Sequence, residues 1–214
     1  MAVSIHSPLA PTEPSTPSFL KRALCVLKAW AKQPLQVATV LPSSSFLMDN
    51  IGQRECIAEA QIVVELGPGA GGTTEVLLQN MKPDSRLIAI EKTEAFMESL
   101  HQIQDPRLTV INGDAVNLVT ILRDQGIAHA DVVVSGIPFS ALPADTAKKI
   151  TQSIHASLHC GGTFIAYQLR SDVESFARPY FGPSRRESVP LNIPPLNVYA
   201  WQKIESGMYR NSAR

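Results

Sequence analysis

The sequence predicts an α/β fold, a doubly wound and mostly parallel sheet of seven strands with an antiparallel edge strand and helices on both faces. Two observations predict it. From Gln61 onward, short apolar runs alternate with stretches of helical period, the order a parallel sheet with crossover helices requires. The first of these runs ends in a glycine-rich turn, Glu65 to Gly72, placed between a strand and a helix.

Each element has its own signal. Ile62–Leu66 is a short apolar run interrupted only by Glu65, and Thr73–Gln79 after the glycines suits a helix. Arg86–Glu91 is the second strand, followed by a helix around Glu94–Ile103; Leu108–Ile111 is the third, leading through Gly113-Asp114-Ala115 to a helix near Val116–Arg123. Asp131–Ser135 is the fourth, with a Gly-Ile-Pro turn after it and a helix around Ala144–Leu158 closed by Gly161-Gly162. Thr163–Leu169 is the fifth. No element is assigned between Leu169 and Tyr180. Two short strands near Glu187–Val189 and Val198–Ile204 close the chain, joined by Asn192-Ile193-Pro194-Pro195 without a full helix between them, which predicts an edge hairpin.

Upstream, residues 1–17 are rich in Pro, Ser and Thr and read as a disordered leader, and residues 206–214 as a flexible tail. Residues 18–60 are expected to form N-terminal helices over the 61–205 domain. In Phe19–Lys32, Phe19, Ala23, Leu27 and Trp30 share one face at helical period while Lys21, Lys28 and Lys32 cluster opposite, and Pro34 stops the helix. Such a helix either lies in a membrane interface above anionic headgroups or packs over a cleft with its lysines solvated, and a lid does both. A second helix is expected from Ser44 to Glu59, capped by one of Ser43, Ser44 and Ser45.

Composition narrows the function classes. Of 214 residues, 44% are hydrophobic and 18% charged, enough for one sizeable core. Lys+Arg and Asp+Glu both number 19, so the chain lacks the basic excess of a protein that grips duplex phosphates. No apolar run reaches the roughly 20 residues of a membrane span. Cys25, Cys56 and Cys160 have no CxxC spacing and read as free thiols, which together with the absence of a secretory pattern predicts a cytoplasmic protein. His155 and His159 sit four apart on a predicted helix without a third ligand, and read as structural rather than metal-binding.

The chemistry lies at the strand ends. Gly67, Gly69 and Gly72 satisfy a dinucleotide GxGxxG pattern, but Glu65 stands where such a fold keeps an apolar residue. A carboxylate there attracts a cation and repels a pyrophosphate. Glu91, about 20 residues beyond, is placed to take both hydroxyls of a ribose, or else is a solvated charge or helix cap. Asp114 is placed to accept from an adenine amine, or to cap the following helix. Three carboxylates at three successive strand ends converge on the side of a parallel sheet where open α/β folds bind ligands.

With ELGPGAGG, AIE, NGDA and VVVSGIPF on the page, residues 62 to 139 resemble the Rossmann-like class I S-adenosylmethionine-dependent methyltransferases. VLPSSSFL (Val40 to Leu47), SGIPFSALP (Ser135 to Pro143) and ESVPLNIPPLNVYAW (Glu187 to Trp201) extend the resemblance to bacterial phospholipid N-methyltransferases, a group related to ribosomal RNA adenine dimethylases. The resemblance implies S-adenosyl-L-methionine as cofactor, held by Glu65, Gly67, Gly69, Gly71, Glu91, Lys92, Asp114, Ala115, Ser135 and Ser44. It also implies a phosphatidylethanolamine-type phospholipid as substrate, and a peripheral place on the inner membrane face through residues 19–32. Adenine dimethylases carry an Asn-Leu-Pro-Tyr type tetrapeptide where this chain has Gly136-Ile137-Pro138-Phe139, and normally a C-terminal helical domain; both departures count against a base substrate and make nucleic acid an unexpected partner. Phe139, Tyr167 and Tyr180 are the candidate substrate-amine contacts, since aromatic faces favour a developing quaternary ammonium. Arg178, Arg185 and Arg186 are candidates for a lipid phosphate. Methylation of RNA adenine or of a soluble small molecule, regulatory binding of the cofactor without transfer, and a dehydrogenase remain the alternatives.

Overall fold

The computed structural model describes residues 50–189 and 196–204. The leader, the basic amphipathic helix, Ser44, the Asn192–Pro195 segment and the tail lie outside the described residues. The elements run α1 (Glu55–Glu59), β1 (Ile62–Leu66), α2 (Gly72–Asn80), β2 (Arg86–Glu91), α3 (Met97–His101), β3 (Leu108–Asn112), α4 (Leu118–Asp124), β4 (Ala130–Ser135), α5 (Ala144–Ser157), β5 (Leu158–Gln168), α6 (Asp172–Phe181), β6 (Arg185–Val189) and β7 (Leu196–Gln202). Single 3-10 turns at Glu94–Phe96, Ala115–Asn117 and Phe139–Ala141 lead into α3, into α4 and out of the loop after β4.

The sheet order is β3-β2-β1-β4-β5-β7-β6. The first five strands pair in parallel, and β7 runs antiparallel to both β5 and β6. The expected hairpin therefore closes the sheet, its reversed strand lying second from the edge. Both faces are covered, so β1, β4 and the second half of β5 are mostly apolar, with residues that alternate between two cores. Val64, Val133, Phe164 and Trp201 join Leu118, Ile150 and Phe181 on one face. Val63, Val132, Val134 and Ile165 join Ile57, Leu77 and Leu78 on the other.

Three expectations are corrected. The Ser44–Glu59 helix is not continuous: the backbone turns extended at Arg54 (φ −71°, ψ 134°) before α1 begins. Arg54 holds that break, donating to the carbonyl and side chain of Asn50 and pairing with Glu187 on β6 at 2.8 Å. Gly161-Gly162 does not close α5. Leu158, in extended conformation, ends that helix and begins β5. The glycines sit at a bulge inside β5, where partners shift from Ala130↔Leu158 to Val132↔Thr163; Gly161, at φ +90°, supplies the conformation the bulge needs. Finally, α6 fills the stretch to which no element was assigned. Pro179 argues against a helix there, since it removes one intrahelical hydrogen bond, yet Val173, Ala177 and Phe181 bury one face at four-residue spacing and outweigh that loss.

Candidate functional site

Parallel strands bring the ends of β1, β2, β3 and β4 to one edge of the sheet, and a cleft of about 380 Å³ opens there. Its floor is the glycine turn. Gly67 (φ +69°), Gly69 (φ +57°) and Gly71 (φ +89°) all occupy the left-handed region, so the chain reverses within five residues and delivers Gly71 as the N-cap of α2. Gly67 and Gly69 line the cleft, whereas Gly71 serves packing: a Cβ there would lie 2.6 Å from Ile103.

Glu91 ties this floor to the next strand. Its carboxylate accepts from the Gly69 amide at 3.0 Å and from the Thr93 amide at 2.7 Å, and it remains 5% exposed at the cleft wall. Asp114 fulfils both of its readings at once. It caps the turn before α4 by accepting from the Val116 amide at 3.0 Å, and its other oxygen accepts from Lys92 at 2.9 Å while the residue lines the cleft beside Ala115. Burial opposes its charge, but the Val116 amide and the Lys92 ammonium outweigh that and hold the carboxyl below the usual range.

Glu65 lies beneath the glycine turn rather than in the cleft wall. It is fully buried, its Oε2 accepts from the Thr74 hydroxyl at 2.6 Å, and its Oε1 has no partner among the described residues. Burial, offset in part by the Thr74 bond and reinforced by Glu91, pushes this carboxyl up to about 8. The three carboxylates thus share one edge of the sheet, two of them facing the cleft and the third below its floor.

The loop after β4 forms the opposite wall. Ile137 and Pro138 line it, with Leu142 and Ile150 from α5 and its approach adding an apolar surface. Ser135 is buried under the loop, where its hydroxyl accepts from the Ile137 amide at 3.3 Å. Tyr167 stands half-buried behind Gly136, its hydroxyl 3.4 Å from that of Thr73. Burial and the neighbouring Glu65 carboxylate raise this phenol well above its usual value, so it stays protonated.

The other two aromatic candidates are placed elsewhere. Phe139 is 1% exposed and packs in the core with Phe176 at 6.4 Å between ring centres. A large apolar ring is more stable there than at a wet wall. Tyr180 is near the end of α6, against His155 at 5.7 Å. α6 runs back from the end of β5, so Tyr180, two residues beyond Arg178, lies toward the opposite edge of the sheet; Arg185 and Arg186 begin the outermost strand, level through the pairing with Ile165 and Ala166 of β5 and two strands away from it. His159 also belongs to that edge, where its Nε2 meets Asp131 at 3.0 Å; among the described residues no cluster could hold a metal ion.

Residues outside the predicted set complete the site. Gln168, 3% exposed, donates to the Ile137 carbonyl at 2.7 Å and accepts from the Phe139 amide at 3.2 Å. Thr74 satisfies half of Glu65. The available signal was polarity at the end of a strand otherwise apolar, but it names no partner. Together the walls offer carboxylate acceptors and apolar surface, and an unpaired carboxylate oxygen lies buried below the floor. That donor set fits a cationic, hydroxyl-bearing nucleoside and disfavours a pyrophosphate.

Residues 43–159 match the family model described as ribosomal RNA adenine dimethylase. The chain is 29% identical over 183 residues to an ornithine lipid N-methyltransferase of Singulisphaera acidiphila, covering 84% of this chain and 95% of that one. It is 32% identical over 129 residues to ribosomal RNA small subunit methyltransferase A of Phenylobacterium zucineum, covering 56% of this chain and 41% of that one. Among solved structures, the N-methyltransferase NodS from Bradyrhizobium japonicum WM9 in complex with S-adenosyl-L-homocysteine aligns with a TM-score of 0.64 at 13% identity. That alignment covers 86% of this chain and 99% of NodS and shows a shared fold.

Proposed function

The chain belongs to the ribosomal RNA adenine dimethylase family and is an S-adenosylmethionine-dependent methyltransferase, and we propose that its methyl acceptor is the amine of a lipid headgroup. The observation that carries this reading is the filling of position 136. A dimethylase-type tetrapeptide has asparagine there to hold a planar base amine, whereas here any Cβ on Gly136 would collide with the Tyr167 hydroxyl and lie 2.8 Å from its Cζ. The place of a base-gripping amide is taken by a phenol. An ornithine lipid is the first candidate, because the alignment with the Singulisphaera enzyme runs over 84% of the chain. Phosphatidylethanolamine, which presents a primary amine on a different headgroup, is the second.

The cofactor set follows the geometry. Glu91 keeps lone pairs for ribose hydroxyls while its bonds to Gly69 and Thr93 fix its rotamer. Asp114 is oriented by Val116 and Lys92 to accept from an adenine amine, with Ala115 beside it. Glu65, under the glycine turn and protonated near neutral pH in the cofactor-free protein, answers the positive charge of the methionine portion by ionising when that charge arrives. Gly67 and Gly69 let the backbone approach, and Ser135 supports the loop from below. The bound sulfonium supplies an electrophilic methyl group. The chain's own contribution is alignment and exclusion of water. The acceptor amine must arrive neutral with its lone pair forward; Tyr167, held protonated behind Gly136, backs the loop that faces that amine rather than acting as its base. Among the described residues no helix is long and apolar enough to cross a membrane. The proposed site of attachment is the basic amphipathic sequence 19–32, which lies outside the described residues, meeting the cytoplasmic face of the membrane.

The test is methyl transfer by the purified protein from labelled cofactor to mixed micelles containing ornithine lipid or phosphatidylethanolamine, against an rRNA fragment and soluble amines. Label in a lipid amine is expected. Label in RNA or a soluble amine, or tight cofactor binding with no transfer to any acceptor, overturns the reading. Liposome pelleting with and without residues 1–33 checks the membrane contact.

A further inference from the structure

We propose that Gln168 is a positioning residue for the methyl acceptor: its buried side-chain amide sets the shape of the loop that carries Gly136, Ile137 and Pro138. The inference rests on the reading above, in which that loop faces the acceptor amine. Pairing between β4 and β5 ends at Ser135↔Ala166. Past that point β5 keeps a partner on one side only, Tyr167 facing Val198 and Gln168 facing Asn197 on β7. On the other side the loop leaves the sheet, and Pro138 has no amide hydrogen with which to continue the ladder.

Gln168 fills the gap with its side chain. Nε2 donates to the Ile137 carbonyl at 2.7 Å and Oε1 accepts from the Phe139 amide at 3.2 Å. A residue of a parallel strand makes its two bonds to residues flanking its opposite number. The Gln168 amide makes that pair of bonds around Pro138, so it stands in for a peptide unit of the ladder. Adjacent strand residues face opposite ways, and Tyr167 and Gln168 accordingly hold the loop from its two sides, Tyr167 behind Gly136 and Gln168 beneath Ile137 and Phe139. Gly136, Ile137 and Pro138 all line the cleft. A loop held at both ends of one amide fixes that wall to within fractions of an ångström, the tolerance that in-line transfer demands.

Gln168→Met keeps the volume and removes both hydrogen bonds; Gln168→Ala also opens a cavity. In the full-length protein, hydrogen–deuterium exchange is expected to rise at least about tenfold in peptides over residues 136–142 for both variants, and to stay unchanged over residues 65–72. The dissociation constant for S-adenosylhomocysteine should stay within twofold, while kcat on the lipid amine falls at least tenfold. Unchanged loop exchange in Gln168→Met overturns the proposal, as does a loosened loop with full kcat, since the residue would then be packing alone. If the wild-type protein methylates neither lipid while the variants still loosen the loop, the grip on the loop stands and the lipid reading fails; the two failures are distinct.

Discussion

The two edges of the sheet are built on opposite principles. At the edge where the strands begin, the charged groups find partners, although the buried Ser157 hydroxyl has none among the described residues. Asp131 accepts from the Gln61 and Ile62 amides at 2.9 and 2.7 Å and meets His159 at 3.0 Å. Lys203 donates to the His155 and Leu158 carbonyls at the end of α5. At the edge where the strands end, three glycines take positive φ within five residues, and a fully buried carboxylate keeps one oxygen without a partner among the described residues. Buried polar groups left unpaired cost stability. One edge is therefore closed scaffold and the other is tensioned for a ligand of complementary charge.

The largest expected effect is at Glu65. A carboxyl raised from 4.5 to about 8 binds its proton more tightly in the folded state, so the cofactor-free protein loses stability as pH rises across that window. The loss is absent below the unfolded value and complete above about 8, and amounts to roughly 3–5 kcal/mol at 1.36 kcal/mol per unit. Thermal melts from pH 4.5 to 8.5 check it, and Glu65→Gln should flatten the curve; an unchanged slope would remove the contrast between the edges. Glu91→Ala should next weaken S-adenosylhomocysteine binding by about 100-fold, close to 3 kcal/mol, measured by calorimetry. Asp131→Ala, at the closed edge, should cost about 2 kcal/mol of unfolding free energy and leave cofactor affinity unchanged. A change in affinity there would show that the two edges are coupled. The smallest effect sharpens the acceptor wall: Gly136→Ala should lower kcat about tenfold, or 1.4 kcal/mol, and adding Tyr167→Phe should restore part of it by removing the hydroxyl the new Cβ meets.

These contrasts separate what each level of structure decides. Apolar runs with strand and helix periods, the glycine turn and the acidic residues at strand ends fixed the parallel part of the sheet, the succession of its strands and the edge that holds the cleft. Those signals are local, because side-chain direction along a strand or helix follows from backbone geometry alone. Phe139, Tyr167 and Tyr180 were equal as aromatic candidates in sequence. The tertiary structure buried the first, set the second behind Gly136 and carried the third to the far edge, because the direction of α6 and the depth of the core appear only once the layers pack. Gln168 was equally silent: a lone amide at a strand end gains meaning only from the carbonyl and amide, 31 and 29 residues away in sequence, that its two atoms reach. Local periodicity settles which edge binds; contacts between distant segments settle which atoms face the ligand.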